Sequence, residues 1–387
     1  MAKKVDSETA NKDFLKLLES KYNAYFEPET IRTGIIPLDL VLNGGLETGS
    51  LIELSSASQA GKSTLVLHLA KNLAEKGYKT LYIDSEGSVK DDMIDGIGLS
   101  EYRSTRSNPD NYFTVVRESG YTAVEELINE ALKTERYKLF VIDSLTALAS
   151  DEYLDVNSGR DAVENRIGLD ALMTSRLLKK LNAVKTDYNC IFIVINQTRL
   201  QMNGYVSSYQ STGGKSVEYY PDVRLFIKVK EKIKDKKQII TGEIETPIGA
   251  NVTIEAKKSR LGLGFIPYPM TIYYGKGISN LLAYENLLQN IKIDKKTTML
   301  EKLSNVSYVL HLSTGDIKTT KGVNGLHQLI VDNIDEVIKE VDEYLDEYFT
   351  KIKNGEVETI SDEYTEEVVD NALTEDIDIP EDMSFED

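Results

Sequence analysis

Residues 51–77 read LIELSSASQAGKSTLVLHLAKNLAEKG. The apolar run 51–56 predicts a buried strand, the small residues 57–60 a loop, and the stretch from Lys62 an amphipathic helix. A loop so placed turns successive backbone N–H groups inward, and the helix start adds the positive end of its dipole. Together they cradle phosphates. The spacing predicts a P-loop in which Ser56, Ala57, Ser58, Gln59, Ala60, Gly61, Lys62, Ser63 and Thr64 surround the phosphates of a nucleotide. Lys62 would reach the β and γ oxygens, and the Ser63 hydroxyl would ligate Mg2+. The motif places a glycine five residues before Gly61, where this chain has Ser56. Ser56 must therefore adopt a compatible backbone or alter the loop. Gly-Lys-Ser alone is a weak signal; its place between strand and helix gives it meaning.

Three more apolar runs follow: TLYIDSE at 80–86, KLFVIDS at 138–144 and CIFIVINQ at 190–197. Continuous apolar runs separated by amphipathic helices predict an α/β fold, with a mostly parallel sheet buried on both faces and flanked by helices. Ligands of such sheets bind at the carboxyl ends of the strands. Each run ends in a polar residue suited to that edge. Asp143 would hold the Mg2+ water shell, although a lone Asp before SLTA also suits a helix N-cap. Glu86 would orient or activate the attacking water. The amide of Gln197 would sense the γ-phosphate. Beyond about residue 220 the pattern becomes period-two strands and hairpins, and a mixed region near 280–350 ends in a helical stretch, Val331–Phe349.

Charge is distributed unevenly. The 387 residues carry 63 acids and 45 bases, a formal net charge of −18. Fourteen of the acids lie in Gly355–Asp387, which has no Lys or Arg, leaving 49 acids against 45 bases in the rest. The body is close to neutral, so the overall acidity does not exclude nucleic acid as a partner. The tail's composition predicts disorder, as a solubilising appendage or as an electrostatic gate competing with an anionic ligand. No run of about 18 apolar residues is present, so no transmembrane helix is expected. No apolar stretch follows the first lysines, so no secretory signal is expected. The single cysteine, Cys190, excludes an internal disulfide framework and points to the cytoplasm. His68, His311 and His327 are too scattered for a metal site, so the only metal expected is Mg2+.

In this order the motifs resemble the RecA family of ATP-dependent DNA strand-exchange proteins, from about Thr33 to Tyr274. IRTGIIPLDLVLNGGLETGSLIEL looks like the family's entry to the P-loop; YIDSEGS carries its catalytic Glu at Glu86, and LFVIDSLTAL its Walker B acid at Asp143. IGLDALMTSRLLKKL matches the helix after its first DNA-binding loop, and INQTR with STGGKSVEYYPDVRL matches its second. The resemblance implies a RecA-type P-loop ATPase core at 33–275, an N-terminal helical polymerisation segment at 1–32, a small C-terminal α+β region at 276–353 and an acidic tail at 354–387. It implies DNA contacts from Arg166, Gly168, Ser175, Arg176, Lys179, Arg199, Met202, Gly213, Gly214 and Lys215. Lys258 and Arg260 match the basic pair that reaches a neighbour's γ-phosphate, so both join Glu86 and Gln197 as catalytic candidates. Ser56 departs from the family pattern, and Met93 falls where members often place an adenine-stacking tyrosine. Past residue 280 the likeness is faint, more like the phage-encoded branch, whose proteins would work in the host cytoplasm.

The residues support the DNA reading physically. Arg199–Ser216 is long, polar and without an apolar face, a composition suited to a loop that tracks single-stranded DNA. Arg176, Lys179 and Lys180 share one helical face. Lysines between Lys228 and Lys237 alternate along a strand, which more simply blunts an exposed sheet edge. The N-terminal segment Asn11–Phe26 has an apolar stripe that could dock on a neighbouring subunit or on its own core. The expected function is an ATP-dependent recombinase. It would polymerise on single-stranded DNA, pair it with homologous double-stranded DNA, and hydrolyse ATP at subunit interfaces when DNA is bound. Loading or mediator proteins and a single-strand-binding protein are possible partners. The alternatives are a ring-forming RecA-fold motor, such as a helicase or branch-migration ATPase, and a non-catalytic relative that binds DNA.

Overall fold

The computed structural model describes residues 12, 15, 16, 27–150, 166–203, 206–211, 214–239, 242–260, 266–304 and 306–356. Most of the expected N-terminal helical segment and most of the acidic tail lie outside them.

A short ladder, β1 (Thr30–Ile31) with β2 (Leu46–Glu47), brackets helix α1 (Ile36–Val41) and leads into β3 (Leu51–Ser56), the predicted P-loop strand. Then follow α2 (Lys62–Glu75), β4 (Thr80–Asp84), α3 (Asp91–Ile97), β5 (Phe113–Val116), α4 (Tyr121–Lys133), β6 (Leu139–Asp143), α5 (Arg166–Val184) and β7 (Ile191–Asn203). After β8 (Val206–Ser211) and α6 (Ser216–Tyr219) come the long strands β9 (Val223–Ile239) and β10 (Gly242–Ser259), then β11 (Tyr268–Tyr273) and β12 (Gly277–Ser279). Among the described residues these strands form one sheet in the order β12-β11-β10-β9-β3-β7-β6-β4-β5, with β8 paired to β7. From β9 to β5 all neighbours are parallel. From β9 to β12 they are antiparallel hairpin partners. The mostly parallel α/β fold read from the apolar runs is the fold observed.

β3, β4 and β6 are buried at every position, because helices cover both faces. Alternate residues along each strand enter opposite layers. Ile52, Leu54, Tyr82, Val141 and Ile193 pack into one layer, beneath α2 and the C-terminal helices. Leu51, Leu81, Ile83, Phe140 and Val194 pack into the other, with Val124 and Ile128 of α4 and Leu177 and Leu181 of α5. Each such side chain contributes about 1.5–3 kcal/mol relative to exposure. The parallel arrangement brings the strand ends to one edge. Ser56 pairs with Gln197 in register, and Asp84 with Asp143.

The C-terminal region contains α7 (Leu281–Leu288), a three-stranded sheet of β13 (Leu300–Ser304), β14 (Ser307–His311) and β15 (Ile317–Lys321), and helices α8 (Gly322–Val331) and α9 (Ile334–Lys353). Helix α9 places Val337, Val341, Leu345 and Phe349 four residues apart on one buried stripe. That stripe joins the layer under α2. Arg32 stacks on the Phe349 ring at 5.1 Å and pairs with Asp346 at 3.0 Å, tying α9 to the entry segment.

One expectation is corrected here. Arg199–Ser216 is not an irregular loop in its described part. β7 runs on to Asn203 and pairs antiparallel with β8, from Thr198 opposite Ser211 to Asn203 opposite Val206. An Asn-Gly dipeptide, here Asn203-Gly204, is a strong hairpin signal in a sequence. The polarity of the segment had hidden it. The lysine run is likewise only one arm of a longer hairpin, β9 with β10, pairing out to Ile239 opposite Gly242.

Candidate nucleotide site and DNA-facing elements

The loop after β3 bends at two residues in left-handed backbone, Gln59 (φ 60) and Gly61 (φ 88). Gly61 has a packing reason as well: a Cβ there would meet Ile272 Cγ2 at 2.7 Å. Ser56 lies before the bend, in regular strand paired on both sides, and is fully buried. A residue at this position needs no left-handed backbone, so serine is compatible with the cradle. Its Oγ accepts a hydrogen bond from Lys62 Nζ at 2.9 Å and donates to the Ala57 carbonyl at 2.6 Å. Lys62 also donates to that carbonyl at 3.2 Å. Burial lowers the Lys62 ammonium below its ordinary value, while Asp143 and Glu86 oppose that shift.

Ser63 Oγ donates to Asp143 Oδ2 at 2.6 Å, and Tyr82 OH donates to the same oxygen at 2.5 Å. Asp143 thus sits in its strand facing the start of α2 and is not a helix N-cap. Burial raises its carboxyl above the usual range; the Ser63 and Tyr82 donors pull the other way. Burial also holds the Tyr82 phenol well above its ordinary value, with Asp143 adding to the effect. Glu86 follows β4 on a turn shaped by buried Asp84, whose oxygens accept the N–H groups of Ser88 at 3.0 Å and Val89 at 3.1 Å. Gln197 Nε2 donates to Glu86 Oε1 at 3.1 Å, and the Ser144 hydroxyl donates to that same oxygen. Both donors fall on Oε1, so Oε2 is the oxygen suited to accept a proton from water.

These groups line one cleft of about 730 Å3, running from the loop past Glu86, Asp143 and Gln197 to Met93, Tyr274 and Gly275. The volume suits a nucleotide. Met93 is among its lining residues. Tyr274 was missed: its hydroxyl donates to the Gln59 carbonyl at 3.0 Å, joining β11's end to the loop. Ser144 and Tyr82 were missed too. A polar residue inside or just after an apolar run that ends in a carboxylate was the signal available. Among the described residues no cluster of three His, Cys, Asp or Glu side chains could hold a metal. One hydroxyl and one carboxylate beside a phosphate cradle are instead the donor set of Mg2+, which keeps several waters and takes the rest from phosphate.

The DNA-facing candidates fall on α5, α6 and the β7–β8 hairpin. Arg166 and Gly168 open α5; Ser175, Arg176 and Lys179 lie along it, with Arg176 and Lys179 exposed. Lys180, on the same face, is held by Glu125 of α4 at 2.7 Å. Arg199 and Met202 lie in β7 beyond the sheet's core, and Gly213 is outside the described residues. Gly214 (φ 76) and exposed Lys215 lead into α6, which buries Val217 against α5. Lys258 Nζ donates to the carbonyls of Glu218 at 2.9 Å and Tyr219 at 2.8 Å. Arg260 reaches Asp222 Oδ1 at 3.2 Å and the Tyr219 carbonyl at 3.3 Å. The two cations therefore meet at the end of α6. Burial lowers the Lys258 ammonium from its ordinary value, and neighbouring Arg260 lowers it further.

A mostly parallel sheet with this phosphate cradle on a central strand belongs to the P-loop class of nucleotide-binding folds. The description "RecA N-terminal domain" matches residues 2–279. Protein RecA of Blastochloris viridis is 30% identical over 67% of this chain and 69% of its own length. Protein RecA of Rickettsia bellii (strain RML369-C) is 26% identical over 88% of this chain and 89% of its own. Protein RecA of Caulobacter sp. (strain K31) is 30% identical over 66% of each. The chain belongs to the RecA family of DNA strand-exchange recombinases.

Proposed function

We propose that the chain is an ATP-dependent recombinase that forms helical filaments on single-stranded DNA and pairs it with homologous duplex. The observation that carries this reading is the convergence of Lys62, Ser63, Glu86, Asp143 and Gln197 on one cleft at the carboxyl edge of the sheet. The β7–β8 hairpin continues directly from Gln197. One strand thus spans the nucleotide cleft and the DNA-facing segment.

In this reading the loop and Lys62 bind the phosphates, while Ser63 and Asp143 would hold Mg2+, which would supply charge neutralisation to the phosphates when bound. Glu86, clamped at Oε1, takes a proton from the attacking water. Gln197 links Glu86 to the DNA-facing hairpin. Lys258 and Arg260 supply positive charge to the γ-phosphate of an adjoining subunit. ATP then lies between subunits, and a head-to-tail contact that does not close on itself builds a filament. The division into segments 1–32, 33–275, 276–353 and 354–387, and work in the cytoplasm, belong to the same proposal.

ATP hydrolysis measured with and without single-stranded DNA tests it. DNA should stimulate turnover, and the stimulation should fall steeply as salt rises, because phosphate contacts release counterions. Turnover equal in the presence and absence of DNA at low salt would contradict the reading.

A further inference from the structure

Tyr82 stands in the middle of β4, inside the run Thr80–Asp84, and none of it is exposed. A buried phenol must find a partner for its hydroxyl. Here the partner is Asp143 Oδ2, which β6 places on the neighbouring strand. The same oxygen takes the Ser63 hydroxyl from the first turn of α2. The ring edge meets Phe113 at 6.0 Å between centroids, so Tyr82 is fixed by the core as well as by its hydrogen bond.

We infer that Tyr82 is a positioning residue for Mg2+ in the nucleotide site, an inference that rests on the reading of Asp143 given above. Two donors from different elements converge on Oδ2, so the carboxylate is held against rotation. Oδ1 is the oxygen then available to the hydrated cation. A partner that orients a ligating carboxylate commonly changes metal affinity by about 10–100-fold when lost. Phenylalanine at this position would fill the same space and keep the contact with Phe113. It would leave Oδ2 with Ser63 alone, and Ser63 is itself claimed by the metal. A carboxylate so released would present a less ordered oxygen to the water shell, and more Mg2+ would be needed to bring nucleotide into the cleft.

The test is binding of a fluorescent, slowly hydrolysed ATP analogue to the full chain, titrated with Mg2+, for the parent, Tyr82→Phe and Asp143→Asn. Thermal melting of each is recorded in parallel. Tyr82→Phe should raise the Mg2+ midpoint about tenfold. An unchanged midpoint, with or without a lower melting temperature, would overturn the inference and leave Tyr82 a core residue only. Asp143→Asn separates the two levels. If it shifts the midpoint while Tyr82→Phe does not, the inference alone fails. If neither shifts it, the assignment of Asp143 fails and takes the inference with it.

Discussion

Glu86 has one oxygen engaged by Gln197 and Ser144, which fixes how the other is presented. Glu86→Gln should keep nucleotide and DNA binding while turnover drops about 10²- to 10⁴-fold, the usual worth of a positioned general base. Steady-state hydrolysis beside equilibrium nucleotide binding checks this. Ser56 makes a second prediction. Its backbone is paired on both sides and its hydroxyl meets Lys62, so restoring the motif's glycine should destabilise the fold by about 0.5–1 kcal/mol. Chemical denaturation measures it. At this scale Lys62, Ser63, Glu86, Asp143 and Gln197 were legible, because each ends an apolar run or starts a helix in a motif of known spacing. Tyr82, Ser144 and Tyr274 were not. Their roles depend on which strands become neighbours, and one-dimensional spacing does not carry that.

The junction of α2 with the β11–β12 turn is a test at the scale of elements. His68 Nδ1 accepts the Ile278 N–H at 2.7 Å, and a Cβ on Gly277 (φ 110) would strike that nitrogen at 2.5 Å. Burial pushes the His68 imidazole down to about 4 from 6.5, with Lys71 reinforcing it. The unfolded chain therefore binds the proton more tightly than the folded one. The contribution of His68 to stability is complete above pH 6.5 and is lost as pH falls through about 4. His68→Asn, which keeps an acceptor but cannot titrate, should flatten the fall in melting temperature over that window; an equal fall in both proteins would contradict it. The parallel strands β3, β4, β6 and β7 were legible as unbroken apolar runs, whereas the short β5 and the period-two β9 were not read as parallel. The β7–β8 hairpin was not legible, because its paired stretches, 198–203 and 206–211, are polar and the Asn203-Gly204 dipeptide was the one local signal. The three-stranded C-terminal sheet was similarly quiet, its strands short and half exposed.

For the whole molecule the decisive quantities are charge and assembly. Removing the 14 acids of Gly355–Asp387 leaves a nearly neutral body. Truncation after Asn354 should therefore tighten binding to single-stranded DNA, most at low salt, where charges are least screened. Fluorescence anisotropy across a salt series reads the effect. Lys258 and Arg260 converge at the end of α6, beside the elements proposed to face DNA and on a face that a second subunit must meet if they act in trans. Filament formation with ATP is thus the central claim, and electron microscopy of the full chain tests it most directly. With Mg2+, a slowly hydrolysed ATP analogue and single-stranded DNA at low salt, open helical filaments should form, and Lys62→Ala should abolish them. Closed rings, or particles that stay single under those conditions, would contradict it.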